Sequence, residues 1–109
     1  MLSTSVSNYR EACRNLIENA LLRPRMYFQT LGDFEAIMRG HELAYMQMDA
    51  IEEGVSFQVD FSNWLHERKR VSAAGGWSLA IQELAESADR SIDDEFSDHV
   101  QKFLAQWND

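Results

Sequence analysis

The chain contains a single proline, Pro24, and it lies between two segments whose apolar residues recur with helical spacing. Proline fixes its own φ and pushes the preceding residue out of the α conformation, so the first helix should stop near Leu22 or Arg23. The sequence Arg23-Pro24-Arg25-Met26-Tyr27 therefore predicts a sharp corner between two helices.

Apolar residues recur at three- and four-residue steps along nearly the whole chain, which is typical of amphipathic helices. The spacing predicts a first helix from about Ser7 to Leu22. Thr30 and Asp33 resemble a capping box for a second helix from about Leu31 to Ile51, which Glu52-Glu53-Gly54 should end. Three further helices are predicted over about 60–70, 77–87 and 91–107, with Asp60 and Ser91 as caps of the first and last.

Residues 55–61 are ambiguous, because apolar and polar side chains alternate there as in a strand. We interpret the stretch as a loop entering a helix, since a lone strand would leave its backbone groups unpaired; a short edge strand is the alternative. The prediction is an all-α single-domain bundle of about five helices over residues 1–109, with residues 1–6 flexible.

Composition agrees with a soluble globular chain. Its 109 residues should bury roughly 65% of the unfolded surface, and 45% apolar residues exclude generic disorder. Apolar runs are too short to span a bilayer, and the first residues carry neither a basic group nor a long apolar stretch. We therefore expect no secretory signal and a cytoplasmic location, where the single Cys13 should be an inert, reduced thiol.

The net charge of −8 is concentrated toward the carboxyl end, because residues 71–109 hold eight acidic and two basic groups. Such a segment repels nucleic acid, which needs a continuous basic surface, and favours a basic protein partner. A merely solvated acidic face is the alternative. The candidate partner-binding residues are Glu83, Glu86, Asp89, Asp93, Asp94, Glu95 and Asp98.

Catalytic and metal-binding motifs are not completed anywhere in the sequence. His41-Glu42 and His66-Glu67 lack the second histidine of a helical zinc site, and Glu95 and His99 are interpreted as a solvated pair rather than half a metal site. Gly75-Gly76 lacks the spacing of a dinucleotide-binding loop and the lysine of a phosphate-binding loop, and it is interpreted as a flexible connection before Trp77. We expect no catalytic, metal or cofactor residues. The methionines and tryptophans should be core residues: Met26, Met38, Met46, Met48, Trp64, Trp77 and Trp107. The alternatives are methionines that line an adaptable binding groove and a partly exposed tryptophan that anchors an interface.

The order of these elements resembles a family of small bacterial proteins, over roughly residues 15–104. The resemblance is carried by Arg23-Pro24-x-Met26-Tyr27, Leu31, Gly40-x4-Tyr45, Phe61-x2-Trp64-Leu65, Gly76-Trp77 and a closing helix with Phe96 and Phe103. Members are often encoded beside polymorphic secreted toxins. The resemblance implies a non-enzymatic immunity protein that binds and neutralises a cognate toxin. With the charge distribution above, we expect the partner to be a basic toxin domain, with no direct contact to nucleic acid or membrane. A helical adaptor or regulator, dimerising through methionine- and tryptophan-bearing faces, is the alternative function.

Overall fold

The computed structural model describes residues 6–48 and 55–107, and it confirms the all-α prediction. No strand occurs in these two ranges, and no helix in them is both long and apolar enough to cross a membrane. The helices within them are α1 Val6–Leu22, α2 Pro24–Tyr27, α3 Leu31–Gln47, α4 Phe57–Lys69, α5 Trp77–Ala88 and α6 Ile92–Gln106.

The corner at Pro24 is formed as predicted, and it contains a helical turn that the spacing did not reveal. Arg23 leaves the α conformation with φ −140°, and Pro24 then opens α2 at the first helical position. Proline is well suited to that position because the first helical N–H has no partner within the helix. The amide of Phe28 donates to the carbonyl of Pro24 at 2.9 Å and completes the turn.

The capping box of α3 is confirmed by two reciprocal hydrogen bonds. The amide of Asp33 donates to Thr30 Oγ1 at 3.2 Å, and the amide of Thr30 donates to Asp33 Oδ2 at 3.2 Å. The helix ends at Gln47 in the part of the chain that is described. The predicted stop at 52–54 lies outside the described residues, as does the expected flexibility of residues 1–5, while Val6 already belongs to α1.

The prediction that residues 55–61 form a loop leading into a helix from about residue 60 placed the start of that helix too late. Helix α4 begins at Phe57, and its cap is Ser56, whose Oγ accepts from the amide of Val59 at 3.2 Å. Asp60 is not the cap; its carboxylate accepts a hydrogen bond from Trp107 Nε1 at 2.9 Å. The alternation is misleading because Phe57 and Phe61, four residues apart, share the buried side of a helix, while Val59 is 56% exposed.

An aromatic cluster fills the core where α4, α5 and α6 meet. The ring centroids of Phe61 and Trp77 lie 5.5 Å apart, those of Trp77 and Phe96 lie 5.3 Å apart, and those of Phe61 and Phe103 lie 5.2 Å apart. These separations are typical of favourable aromatic pairs. The predicted core positions of the three tryptophans are confirmed, since Trp64, Trp77 and Trp107 are all buried.

The methionine prediction was wrong for three of the four residues. Only Met38 is buried, whereas Met26, Met46 and Met48 are 73%, 56% and 64% exposed. Helical spacing alone does not identify the buried side when several positions around a helix are apolar. Helix α3 therefore leaves apolar side chains on its outer surface.

Candidate functional site: the acidic surface of α5 and α6

The turn between α5 and α6 is built by two local signals in the sequence. Asp89 adopts the left-handed conformation with φ 55°, and the next amide, that of Arg90, donates to the carbonyl of Ala85 at 3.0 Å. Ser91 then caps α6, as predicted, because its Oγ accepts from the amide of Asp94 at 3.0 Å. The end of α5 and the start of α6 are thereby held together.

Six of the seven predicted partner-binding carboxylates lie on the surface around this turn, and we call these six the acidic surface. They are Glu83, Glu86, Asp89, Asp93, Asp94 and Asp98. Four of them, Glu83, Glu86, Asp89 and Asp94, are exposed and make no side-chain hydrogen bond or ion pair with any other described residue. These four carboxylates are free to contact a partner.

The remaining two members of the acidic surface are paired with arginines. Asp93 lies 3.2 Å from Arg25 of the α2 corner, and Asp98 lies 3.1 Å from Arg90. The Arg90 guanidinium hydrogen-bonds to the Asp98 carboxylate and lowers its pKa. Both pairs are largely exposed, so each contributes little to stability. Because Asp93, Asp94 and Glu95 occupy the first turn of α6, the helix dipole favours their negative charge.

Glu95 corrects the sequence prediction, because it is buried and unavailable to a partner. The interpretation of Glu95 and His99 as a solvated pair is also wrong: they are only 5% and 4% exposed. Glu95 Oε1 accepts from Arg90 at 3.0 Å, and Glu95 Oε2 lies 2.8 Å from His99 Nε2. Burial of a carboxylate is tolerated when it is hydrogen-bonded, as Glu95 is on both oxygens, whereas Nδ1 of His99 has no hydrogen-bond partner among the described residues. The pair therefore anchors Arg90 and the turn.

A groove between α1 and α6 adjoins the acidic surface. It has a volume of about 630 Å³, and its walls include Leu21, Leu22 and Ser97. Ser97 lies one helical turn beyond Asp93, and Leu22, which is 79% exposed, lies just before the α2 corner. On the α1 side, Arg14 donates to the carbonyl of Leu104 at 2.6 Å and also to that of Trp107. An apolar side chain of a partner could enter this groove beside the carboxylates.

Sequence reasoning missed a buried carboxylate, Glu35 of α3, which lies at the start of α5. Its Oε2 accepts from the amide of Trp77 at 3.1 Å, and its Oε1 accepts from Ser78 Oγ at 2.5 Å. The carboxylate thus satisfies donors at the positive end of α5, a role usually filled by an adjacent cap residue. Sequence spacing gives no signal for this contact, because Glu35 and Trp77 are 42 positions apart.

Gly76 has a specific steric role in that contact and is not merely a connection. Its φ is +109° and its ψ 153°, a conformation that is essentially confined to glycine. A Cβ at this position would lie 2.5 Å from Glu35 Oε2. The absence of a side chain lets the carboxylate reach the amide of Trp77 and the hydroxyl of Ser78 at the start of α5.

Cys13 and His41 lie close together but do not form a reactive pair. The Sγ and Nδ1 atoms are 3.9 Å apart, while the thiol is fully buried. Burial raises the pKa of Cys13 to about 12, and burial lowers the pKa of His41. Both shifts disfavour the thiolate–imidazolium pair that a nucleophilic cysteine needs. In the described ranges no group of three or more potential ligands could hold a metal ion.

The buried thiol gives a pH prediction. The folded pKa of Cys13 is about 12, above the ordinary value of 9.0, and burial also raises the pKa of the neighbouring Tyr9. Above pH 9 the unfolded chain therefore loses protons that the folded chain retains, so the free energy of unfolding should fall as pH rises. Denaturant curves between about pH 7 and 11 measure this effect. A Cys13→Ala variant should lose less stability over that range; an identical loss would contradict the assignment.

Comparison with models of protein families, with curated proteins and with solved structures gives no match. Function must therefore be inferred from the surface of the chain itself.

Proposed function

We propose that this protein binds a basic protein partner stoichiometrically and acts as an immunity protein against a bacterial toxin. The observation that carries the proposal is the acidic surface, where Glu83, Glu86, Asp89 and Asp94 are exposed and none makes a side-chain hydrogen bond or ion pair with another described residue. Buried carboxylates are normally paired, as Glu95 and Glu35 are here, whereas these four present their charge at the surface. A partner that presents lysines and arginines would be attracted to this surface and oriented by it.

The toxin assignment is supported by the charge and by the resemblance described above. A toxin domain that acts on nucleic acid needs a positively charged cleft, and a carboxylate surface is complementary to such a cleft. The α2 corner, one of the motifs in the resemblance, borders the acidic surface through the contact between Arg25 and Asp93. Arg25 itself is not one of the residues that carry the resemblance, so this contact shows only that the corner and the acidic surface are neighbours.

Apolar contacts would supply most of the binding energy in this proposal. Interfaces usually depend on a few apolar anchors, while charged residues at the rim set the association rate and the specificity. Leu22, at the edge of the groove between α1 and α6, is the most exposed of the large apolar residues in the described ranges. A partner could therefore cover Leu22 while its basic residues contact Asp94 and the end of α5.

The alternative function, an adaptor acting as a homodimer, is favoured by one part of the surface only. The tryptophan-bearing faces are buried and cannot form an interface. Helix α3, in contrast, exposes Leu43 and Met46 by more than half, and Met48 directly after the helix is exposed by more than half as well. These residues and the acidic surface on α5 and α6 have no member in common, so the two functions are compatible.

Coexpression tests the proposal directly. The protein should co-purify with the product of the gene beside its own and should relieve the growth defect that this product causes when expressed alone. The double variant Glu86→Lys/Asp94→Lys should protect measurably less than the parent. The control Glu11→Lys/Glu67→Lys changes the net charge equally at two exposed positions elsewhere and should protect fully. Full protection by both variants would exclude the acidic surface as the binding site.

A further inference from the structure

The outer surface of α3 is an apolar helix face with no partner in the described part of the subunit. Its exposed positions follow the three- and four-residue spacing of a helix-packing seam. From 36 to 47 the only exposed charged residue is Arg39, although the whole chain carries a net charge of −8. We call this seam the α3 face; it consists of Asp33, Ala36, Ile37, Gly40, Leu43, Ala44 and Gln47, all of them exposed.

Nothing within the described part of the subunit requires a glycine at position 40, the centre of the α3 face. A glycine in a helix interior is about 1 kcal/mol less favourable than alanine. A Cβ at Gly40 would meet nothing within 4 Å, and the residue has no positive φ. Close approach of another backbone is a physical reason to keep a glycine at such a position.

The α3 face is complementary to itself when two copies run antiparallel. A two-fold axis between the two copies of Gly40 places each residue that precedes Gly40 at the same height as a residue that follows Gly40 in the second copy. At about 100° per residue, Ala36 and Leu43 lie on one side of the seam, and Ile37 and Ala44 lie on the other. Each large side chain therefore packs over a small one: Leu43 over Ala36 of the second copy, and Ile37 over its Ala44.

The polar ends of the α3 face are complementary as well. The same axis brings Asp33, seven residues before Gly40, beside Gln47 of the second copy, seven residues after its Gly40. A carboxylate accepts hydrogen bonds, and an amide nitrogen donates them. An isologous dimer requires that one patch be complementary to itself, and this sequence meets the requirement in size and in polarity.

We propose that the protein forms an antiparallel two-fold dimer through α3, with the two copies of Gly40 in contact at the crossing point. Glycine and alanine along the seam permit an interaxial distance near the lower end of the usual range, about 8 Å. A single helix pair about 25 Å long buries less surface than a standard interface, so the dimer is a weak one. The inference is independent of the proposed toxin partner.

Sedimentation equilibrium of the purified chain tests the dimer without any partner. The parent should pass from monomer to dimer as its concentration rises toward about 1 mM, as a small interface predicts. Gly40→Gln should weaken dimerisation at least tenfold while far-ultraviolet circular dichroism shows an intact helical fold. Ala105→Gln makes a similar change at an exposed position of α6 and should dimerise like the parent. A parent that stays monomeric at all concentrations, or a Gly40→Gln variant that dimerises equally well, overturns the proposal.

A charge-pairing experiment tests the antiparallel arrangement. Ala36→Glu and Leu43→Lys should each weaken self-association at least tenfold, because each introduces an unpaired charge into an apolar seam. Mixed together the two variants should form a heterodimer, since the carboxylate introduced at position 36 of one chain then lies beside the ammonium group introduced at position 43 of the other. A mixture that remains monomeric, at concentrations where the parent dimerises, contradicts the antiparallel register.

Discussion

Replacing Gly76 by alanine is expected to lower the free energy of unfolding by about 3 kcal/mol, the largest single-residue effect on stability among these predictions. Two causes act together. The backbone has φ +109°, which an L-residue adopts only with strain, and the new Cβ would lie 2.5 Å from Glu35 Oε2. If the carboxylate moves away, the amide of Trp77 loses its acceptor. Urea unfolding followed by circular dichroism measures the change.

Gly40→Ala is the matched control for that measurement. The same atoms are added, but Gly40 lies within α3 and a Cβ there would meet nothing within 4 Å. The expected change is therefore of opposite sign, a gain of up to about 1 kcal/mol at concentrations where the chain is monomeric. Equal midpoints for Gly76→Ala and the parent would show that Gly76 does not need its unusual conformation and that Glu35 does not occupy the start of α5.

Local signals were sufficient to predict most helix ends. The proline at 24, the capping box at Thr30 and the cap at Ser91 all act within four residues of the helix they start or stop. Their effects depend on backbone geometry that the neighbouring residues determine. The start of α4 was missed because the strand-like alternation over residues 55–61 competed with the helical spacing of Phe57 and Phe61. The cap, Ser56, is also held by a residue distant in sequence, Glu42, whose carboxylate accepts a hydrogen bond from Ser56 Oγ at 2.8 Å.

Contacts between distant residues could not be predicted from the sequence. Glu35 lies beside the apolar stripe of α3, and nothing near it in sequence indicates that it satisfies the start of α5. Glu95 has exposed acidic neighbours in the sequence, so the sequence predicts that it is exposed as well. Packing instead buries it with His99. The sequence shows where carboxylates are concentrated along the chain. Only the three-dimensional structure distinguishes the buried carboxylates from those that a partner can contact.

Charge reversal on the acidic surface is expected to have the largest effect on binding. Glu86→Lys/Asp94→Lys should reduce the association rate with the basic partner by about tenfold at low salt, because both carboxylates are exposed on the acidic surface. The dissociation rate should change less, since these residues attract the partner at long range and the apolar contacts hold it. The double variant should unfold at a slightly lower urea concentration than the parent, because the dipole of α6 favours the negative charge of Asp94 that the lysine replaces.

The control for this experiment is Glu11→Lys/Glu67→Lys, which alters the net charge by the same amount away from the acidic surface. Its association rate should remain close to that of the parent, apart from the small effect of total charge. Equal slowing by both double variants would mean that the partner responds to net charge alone. In that case no particular surface of the chain would be identified.

The salt dependence of the association rate tests the central proposal most directly. Surface-bound kinetics would be recorded for the parent and the neighbouring gene product between about 0.01 and 0.15 M salt, where the Debye length falls from about 30 to 8 Å. The proposal predicts an association rate that falls steeply for the parent and much less for Glu86→Lys/Asp94→Lys, with little change in dissociation. An association rate that is the same for the parent across this range would make the acidic surface a solubility feature and would contradict the proposal.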